Sequence, residues 1–289
     1  MRLIYFGTPE AAVPPLRALV EAGHDVVLVV SRPDRRRGRG SATSPSPVKA
    51  AALELDLPVS DDPSDALAVD AELGVVVAFG RILSDDLLAH VPMVNLHFSL
   101  LPRWRGAAPV ERAILAGDDI TGVCVMAVES TLDTGGVYRR LEVAIDDDRS
   151  AAELRSQLVE QGSALLVEAL AEGLGDPEPQ ATDGATYAAK LTPDDVHLDW
   201  GGPAVDVLRR VRVGGAWTEF RGHRLKVLAA RASAGAVAAE PGVLDGVRVA
   251  CGDGAAVELV TVQPSGKAAM SASDFVNGYR PTADERLGA

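Results

Sequence analysis

Over the first 172 residues the apolar positions switch between short continuous runs and a helical repeat. Arg2–Phe6 is an apolar run closed by the turn Gly7-Thr8-Pro9, Glu10–Ala22 repeats its apolar residues at helical spacing, and Asp25–Ser31 is apolar again after Gly23. That pattern predicts a strand, a helix and a strand. Beyond a loop rich in Arg, Gly, Ser and Pro over 32–47, it predicts a helix near Val48–Leu55, a strand over Gly74–Phe79, a helix near Asp85–His90 and a strand over Val94–His97. A helix over Ala107–Ala116, strands over Gly122–Val128 and Gly136–Ile145, and a long helix over Ser150–Glu172 with Ser150 as N-cap complete the series.

Strands that alternate with helices and read as near-continuous apolar runs imply an α/β fold. Its doubly wound, mostly parallel sheet is buried on both faces, with the ligand site at the carboxyl ends of the strands. His97 ends one of those strands. The Gly- and Pro-rich stretch Gly173–Gln180 closes this part of the chain. Beyond it short strands at turn-rich spacing, His223–Leu228, Gly242–Val249 and Ala256–Val262, predict a small β-barrel. The expected organisation is a first domain over 1–180, a linker over 181–194 and a second domain over 195–289.

Composition narrows the classes. With 47% hydrophobic and 24% charged residues the chain can bury a sizeable core, which excludes a largely disordered protein. Apolar runs such as Leu73–Phe79 and Val26–Val30 fall far short of the roughly 20 residues that span a bilayer. The N-terminus reads as a first strand and not as a signal peptide. Cys124 and Cys251 lack any metal-ligand spacing, so neither a disulfide frame nor a structural metal is expected, and the cytoplasm is the expected compartment. A net charge of −13 argues against a polyanionic partner, yet nearly all of that charge lies before residue 183. Inside the acidic part, Arg32–Arg39 holds five arginines against one aspartate; further on, Arg209, Arg210, Arg212, Arg221, Arg224 and Lys226 cluster. Local basic patches therefore survive on an acidic protein.

The Gly7 turn lacks the G-x-G-x-x-G that lets a backbone approach a pyrophosphate, so a dinucleotide site is disfavoured. Asn95 and His97 alternate on one face of a strand end. A strand histidine commonly does no more than pack. Beside an amide donor, however, it completes a kit for acyl transfer, in which one group holds an oxyanion and the other handles a proton. Asp133, in the loop Ser130–Gly136, is the carboxylate that could set the histidine's tautomer, its alternative role being an Asx turn.

The string NLHFSLLPRWRGAAPVERAILAGDDITGV from Asn95, followed by LDTG at Leu132–Gly135, resembles the folate-dependent formyltransferases. The likeness extends to FGTPE at Phe6–Glu10, the PDRRRGRG…PSPVK loop ending at Lys49, VVVAFG at Val75–Gly80, TYAAKL at Thr186–Leu191 and VQPSGKAAMSASDF at Val262–Phe275, nearly the whole chain. The resemblance implies a Rossmann-like catalytic domain followed by an OB-like β-barrel. It also implies 10-formyltetrahydrofolate as formyl donor and the α-amino group of methionine on initiator tRNA as acceptor, with no metal. It puts catalysis on Asn95, His97 and Asp133, folate contact on Ser99, Leu100, Leu101 and Pro102, and approach to the tRNA acceptor end on Arg36, Arg37 and Arg39. A monomer is expected. Phe98, Arg81, Ser84 and Val213–Trp217 depart from the family's pattern. The runner-up reading is formyl transfer to another amine, such as glycinamide ribonucleotide or an amino sugar nucleotide; a non-catalytic tRNA-binding protein is the alternative from a different class.

Overall fold

The computed structural model describes residues 1–36, 43–235, 239–282 and 285–288, with Arg35 and Arg36 described in their backbone alone. The chain divides into two compact units. The first holds Met1–Val110, Asp119–Ile145 and Glu153–Lys190; the second holds Glu111–Asp118, Asp146–Ala152 and Leu191–Ala289.

Seven strands build the sheet of the first unit: β1 (Arg2–Gly7), β2 (Asp25–Val30), β3 (Val59–Ser60), β4 (Leu73–Val77), β5 (Met93–His97), β6 (Ile120–Ala127) and β7 (Val137–Ala144). Their order is β7-β6-β5-β4-β1-β2-β3. Strands β1 to β5 pair in parallel, while β6 runs antiparallel to β5 and β7 antiparallel to β6. The α-helices among the described residues are α1 (Val13–Glu21), α2 (Pro47–Glu54), α3 (Asp85–His90), α4 (Pro109–Ala116), α5 (Ala151–Glu172), α6 (Ala204–Val213) and α7 (Ala272–Tyr279). The mostly parallel α/β sheet expected from the pattern is therefore present. Strand order reverses at β1, which stays paired with β4 through Gly7 and Val77, and such sheets open a crevice just beyond the carboxyl ends of the two strands at that point.

Burial on both faces explains the apolar strands. Leu3, Ile4, Tyr5 and Phe6 of β1 are wholly buried, and Ile4 and Phe6 join Leu28, Val30, Phe79, Leu83, Leu87 and Met93 in one core. Phe6 and Phe79 meet edge to face at 5.6 Å. The tight turn after β1 needs glycine for space: a Cβ on Gly7 would lie 2.8 Å from the Tyr5 ring and 3.0 Å from Ala12 Cβ. The buried Tyr5 hydroxyl donates to the Ala12 carbonyl at 2.5 Å, and burial holds its pKa well above the usual value. Helix α2 starts where Ser46 Oγ accepts the Lys49 N–H at 3.0 Å, and α3 starts on Ser84, whose hydroxyl accepts from Leu87 N. The serine at 84 is thus a helix cap.

In the second unit β8 (Trp217–Phe220), β9 (His223–Ala232), β10 (Leu244–Asp245), β11 (Arg248–Ala250), β12 (Ala256–Pro264) and β13 (Met270–Ser271) form an antiparallel sheet in the order β8-β9-β12-β11-β10, with β13 also on β12. Phe220, Leu225, Val227, Val249, Val257, Leu259 and Val262 pack with Val207 and Val211 of α6 and Phe275 of α7. The OB-like barrel expected from the sequence is not closed. Among the described residues β8 and β10 do not pair with each other; β8 instead bridges to His197, and Leu198 N donates to Trp217 O at 2.8 Å. The strand expected over Gly242–Val249 is broken by a turn at Gly246 (φ +63°), which leaves β10 two residues long and too short to wrap round.

Candidate active site

Strand period two sets Asn95 and His97 on one side of β5, at its carboxyl end. The chain then folds back on itself. Ser99 Oγ donates to the Arg103 carbonyl at 2.7 Å, and Trp104, at φ +67°, turns its own carbonyl toward the histidine. His97 Nε2 lies 2.9 Å from Trp104 O. A carbonyl only accepts, so Nε2 carries the hydrogen and donates. The other ring nitrogen, Nδ1, faces Asp133 Oδ2 at 3.8 Å, and the imidazole is 6% exposed.

Asp133 adopts φ +53°, a left-handed conformation that aspartate tolerates better than most residues. Its Oδ2 accepts the Gly106 N–H at 2.7 Å and its Oδ1 faces Asn95 Nδ2 at 3.4 Å. The three residues expected to carry chemistry are therefore brought together: an amide, an imidazole and a carboxylate fixed by main-chain donation. On the neighbouring strand β6, Cys124 is in register with His97, and burial pushes its thiol pKa up.

These three groups line one side of a cavity of about 690 Å³. Val76, Phe79, Leu83, Leu96, Phe98 and Met126 supply apolar walls; Arg32, Arg81 and Lys190 add positive charge, and Glu129 negative. An apolar cleft with a few convergent polar groups is the ordinary form of a small-molecule site. Arg32 donates from Nη2 to the Gly80 carbonyl, and both residues line the cavity. Arg32 and Lys190 were not singled out from the sequence as cavity residues. The signal for Thr8 and Pro9 was their position at the carboxyl end of β1, beside the strand-order reversal.

Other expected site residues lie elsewhere. Ser99 is wholly buried with its hydroxyl on main-chain carbonyls, and Leu101 packs with Cys124, Met126 and Val137. Leu100 covers Gly122, where an added Cβ would meet its Cδ2 at 2.5 Å. Neither these three nor Pro102 lines the cavity, although the residues on either side of them, 95–98 and 106–107, do. Arg37, Arg39 and the side chain of Arg36 lie outside the described residues. In the second unit Arg209 pairs with Asp206 at 3.1 Å, Arg212 donates to Asp146 O at 2.6 Å and Arg221 pairs with Glu285, while Arg224 stacks 4.0 Å over the Trp217 ring.

Residues 1–170 match the model of the formyl transferase family, and residues 190–280 match that of the formyl transferase C-terminal domain. The chain is 43% identical over 303 residues to the methionyl-tRNA formyltransferase of Ruegeria pomeroyi, covering 99% of this chain and 100% of that protein. It is 47% identical over 297 residues to that of Roseobacter denitrificans, covering 96% of each. Its fold is similar to the crystal structure of an N-formyltransferase from Helicobacter canadensis in complex with folinic acid and dTDP-3-aminofucose: TM-score 0.71, 15% identity, 91% of this chain and 98% of that one. No group of His, Cys, Asp or Glu that could hold a metal ion occurs among the described residues, and no helix among them is long and apolar enough to cross a membrane.

Proposed function

The chain belongs to the formyl transferase family, among its methionyl-tRNA formyltransferases, and from that membership we propose that it moves a formyl group from 10-formyltetrahydrofolate to the α-amino group of methionine on initiator tRNA during translation initiation. The observation that carries the reading is the convergence of Asn95, His97 and Asp133 on one side of an apolar cleft. The apolar walls suit a flat heteroaromatic donor, and the folate supplies a formyl group held on nitrogen. We assign to Ser99–Pro102 a folate role exerted through the loop they shape, since their side chains face the protein interior or its edge.

The chemistry follows from the hydrogen-bond accounting. A neutral amine attacks the formyl carbon, negative charge develops on its oxygen, and the leaving nitrogen must gain a proton. Asn95 Nδ2 is the uncharged donor for that oxygen. His97 has a carbonyl on Nε2 and a carboxylate facing Nδ1, so a proton on each nitrogen suits both neighbours. The imidazolium then presents Nδ1–H as the second donor and as the proton source for the leaving nitrogen, the imidazole so formed takes up the proton that the attacking amine must lose, and Asp133 balances the imidazolium charge. Asp133, anchored by the Gly106 N–H, turns the ring toward the cavity.

Residues 1–180 are proposed to carry catalysis and 195–289 to contact tRNA, with Arg36, Arg37 and Arg39 gripping acceptor-stem phosphates as a monomer in the cytoplasm. Affinity for tRNA then falls as salt rises. The test is formyl transfer from 10-formyltetrahydrofolate to charged initiator tRNA, with charged elongator tRNA and uncharged initiator tRNA as controls. Formylation of the charged initiator alone supports the reading. Donor binding without transfer to tRNA, but with transfer to a small amine such as an amino sugar nucleotide, replaces it with the runner-up.

A further inference from the structure

We propose that Gln180 is a positioning residue for the reaction, fixing Asp133 through its main chain. The inference rests on the function proposed above. Gln180 follows a short stretch that extends the sheet edge, where Glu178 and Val137 exchange both main-chain hydrogen bonds at 2.8 and 2.9 Å. Two residues on, its side-chain Nε2 donates to the carbonyls of Asp133 and Gly135, each at 2.8 Å. Its Oε1 accepts from Arg105 Nε at 3.1 Å and Nη2 at 2.7 Å. The guanidinium only donates and the carbonyls only accept, so the amide has one possible orientation and both of its ends are used.

The two carbonyls that Gln180 ties belong to the loop in which Asp133 stands at φ +53°. A left-handed non-glycine residue persists where its surroundings over-determine it. Here the constraint comes from one tripeptide. Trp104 offers its carbonyl to His97, Arg105 holds Gln180, and Gly106 gives its N–H to the Asp133 carboxylate. That tripeptide is itself clasped by 186–188: Trp104 N donates to Thr186 Oγ1 at 2.8 Å, and Arg105 N to Thr186 O and Ala107 N to Ala188 O at 2.9 Å each. Residues 180–188 thus close a ring of hydrogen bonds around the base of the catalytic loop without entering the cavity. Removing the amide donors frees the Asp133 carbonyl, lets φ relax and moves the carboxylate relative to His97 Nδ1.

The experiment measures kcat and KM for formyl transfer in Gln180→Leu, Gln180→Glu and Arg105→Met, with thermal unfolding alongside. Gln180→Glu keeps a partner for Arg105 but has no N–H. In all three kcat falls about 10- to 100-fold, as expected for misplaced catalytic groups, while KM for donor and acceptor stays within about 3-fold. Added to Asp133→Asn, the Gln180→Leu change costs less than about 2-fold more, because its effect passes through Asp133. The imidazole nitrogen NMR signals of His97 shift in Gln180→Leu whether or not any acceptor has been identified. Wild-type kcat in Gln180→Glu, full additivity with Asp133→Asn, unchanged His97 signals, or loss of cooperative unfolding in both Gln180 variants overturns the proposal. Failure of the wild type to formylate tRNA counts against the function and leaves the NMR result to decide the positioning role.

Discussion

His97 Nε2 donates to the carbonyl oxygen of Trp104 at 2.9 Å, and this contact decides which ring nitrogen faces the reaction. With Nε2 committed, Nδ1 is the only nitrogen that can serve a substrate. It points toward Asp133 and the cavity that Asn95 also lines. The eight residues from His97 to Trp104 therefore act as one device. Their reversal, tied by Ser99 to the Arg103 carbonyl, fixes which way the ring at its start is turned.

That geometry predicts different outcomes for the two donors. His97→Gln keeps a polar side chain but holds no charge and shuttles no proton, so kcat falls about 10²- to 10⁴-fold. Asn95→Ala removes one uncharged donor and lowers kcat about 10²- to 10³-fold. Both residues end a strand at the cleft, so unfolding transitions remain cooperative in both variants. Steady-state formylation against thermal unfolding checks this, and a histidine variant with near wild-type kcat removes His97 from the mechanism.

The first unit was legible because its strands are buried on both faces: the apolar runs at Arg2–Phe6 and Gly74–Phe79 announce β1 and β4 directly. Asn95 and His97 were legible from strand period, and Asp133 from a glycine-flanked loop. Gln180 was not, because its contacts join positions 45 and 47 residues apart through main-chain oxygens that carry no sequence signature. What the Ser99 hydroxyl touches was not legible for a related reason: a hydroxyl just past a strand end reads the same whether it meets a ligand or the carbonyl of Arg103. In the second unit the two-residue turn Gly246-Val247 divides what apolar pattern alone reads as one strand.

Asp195 offers a test by pH. Arg112 donates to both its oxygens, at 2.6 and 3.1 Å, and the Thr192 N–H adds a bond at 2.8 Å; together they draw its pKa down to about 2. A carboxylate with a depressed folded pKa contributes stability above its unfolded value, near 3.9, and that contribution is lost as pH falls through the folded value. Asp195→Asn is therefore less stable than wild type at pH 6, and the two converge as pH approaches 2. The pair is partly solvent-exposed, which limits the difference to about 1 kcal/mol. Urea unfolding at several pH values checks it; a gap that persists at low pH assigns the effect to something other than the carboxylate charge.

Both cysteines are free and buried. Burial raises the Cys124 thiol, while burial and the nearby Asp253 push Cys251 up to about 11. At pH 8 only about one Cys251 thiol in a thousand is ionised, and the thiolate is the reactive form. A disulfide-exchange reagent at pH 8 accordingly titrates neither in the native protein and both after denaturation. Rapid native reaction of one thiol identifies a local opening at that strand.

Gly106 joins backbone conformation to catalysis most directly. It stands at φ +118°, and an added Cβ would lie 2.9 Å from the Ala188 carbonyl oxygen, which is main chain and cannot swing aside. Gly106→Ala is thus strained in conformation and in space, at a cost of about 1–3 kcal/mol. Relief requires the peptide to turn, and that peptide carries the N–H holding Asp133 Oδ2 at 2.7 Å. The expected result is a kcat lowered about 10-fold or more together with reduced stability. Gly23→Ala separates the two effects: its φ is +81° but its Cβ meets nothing within 4 Å, so it carries conformational strain away from the site and leaves kcat unchanged. If Gly106→Ala loses stability as Gly23→Ala does yet keeps full kcat, Asp133 is held without the Gly106 N–H, and the anchoring of the carboxylate must come from Asn95 and the loop alone.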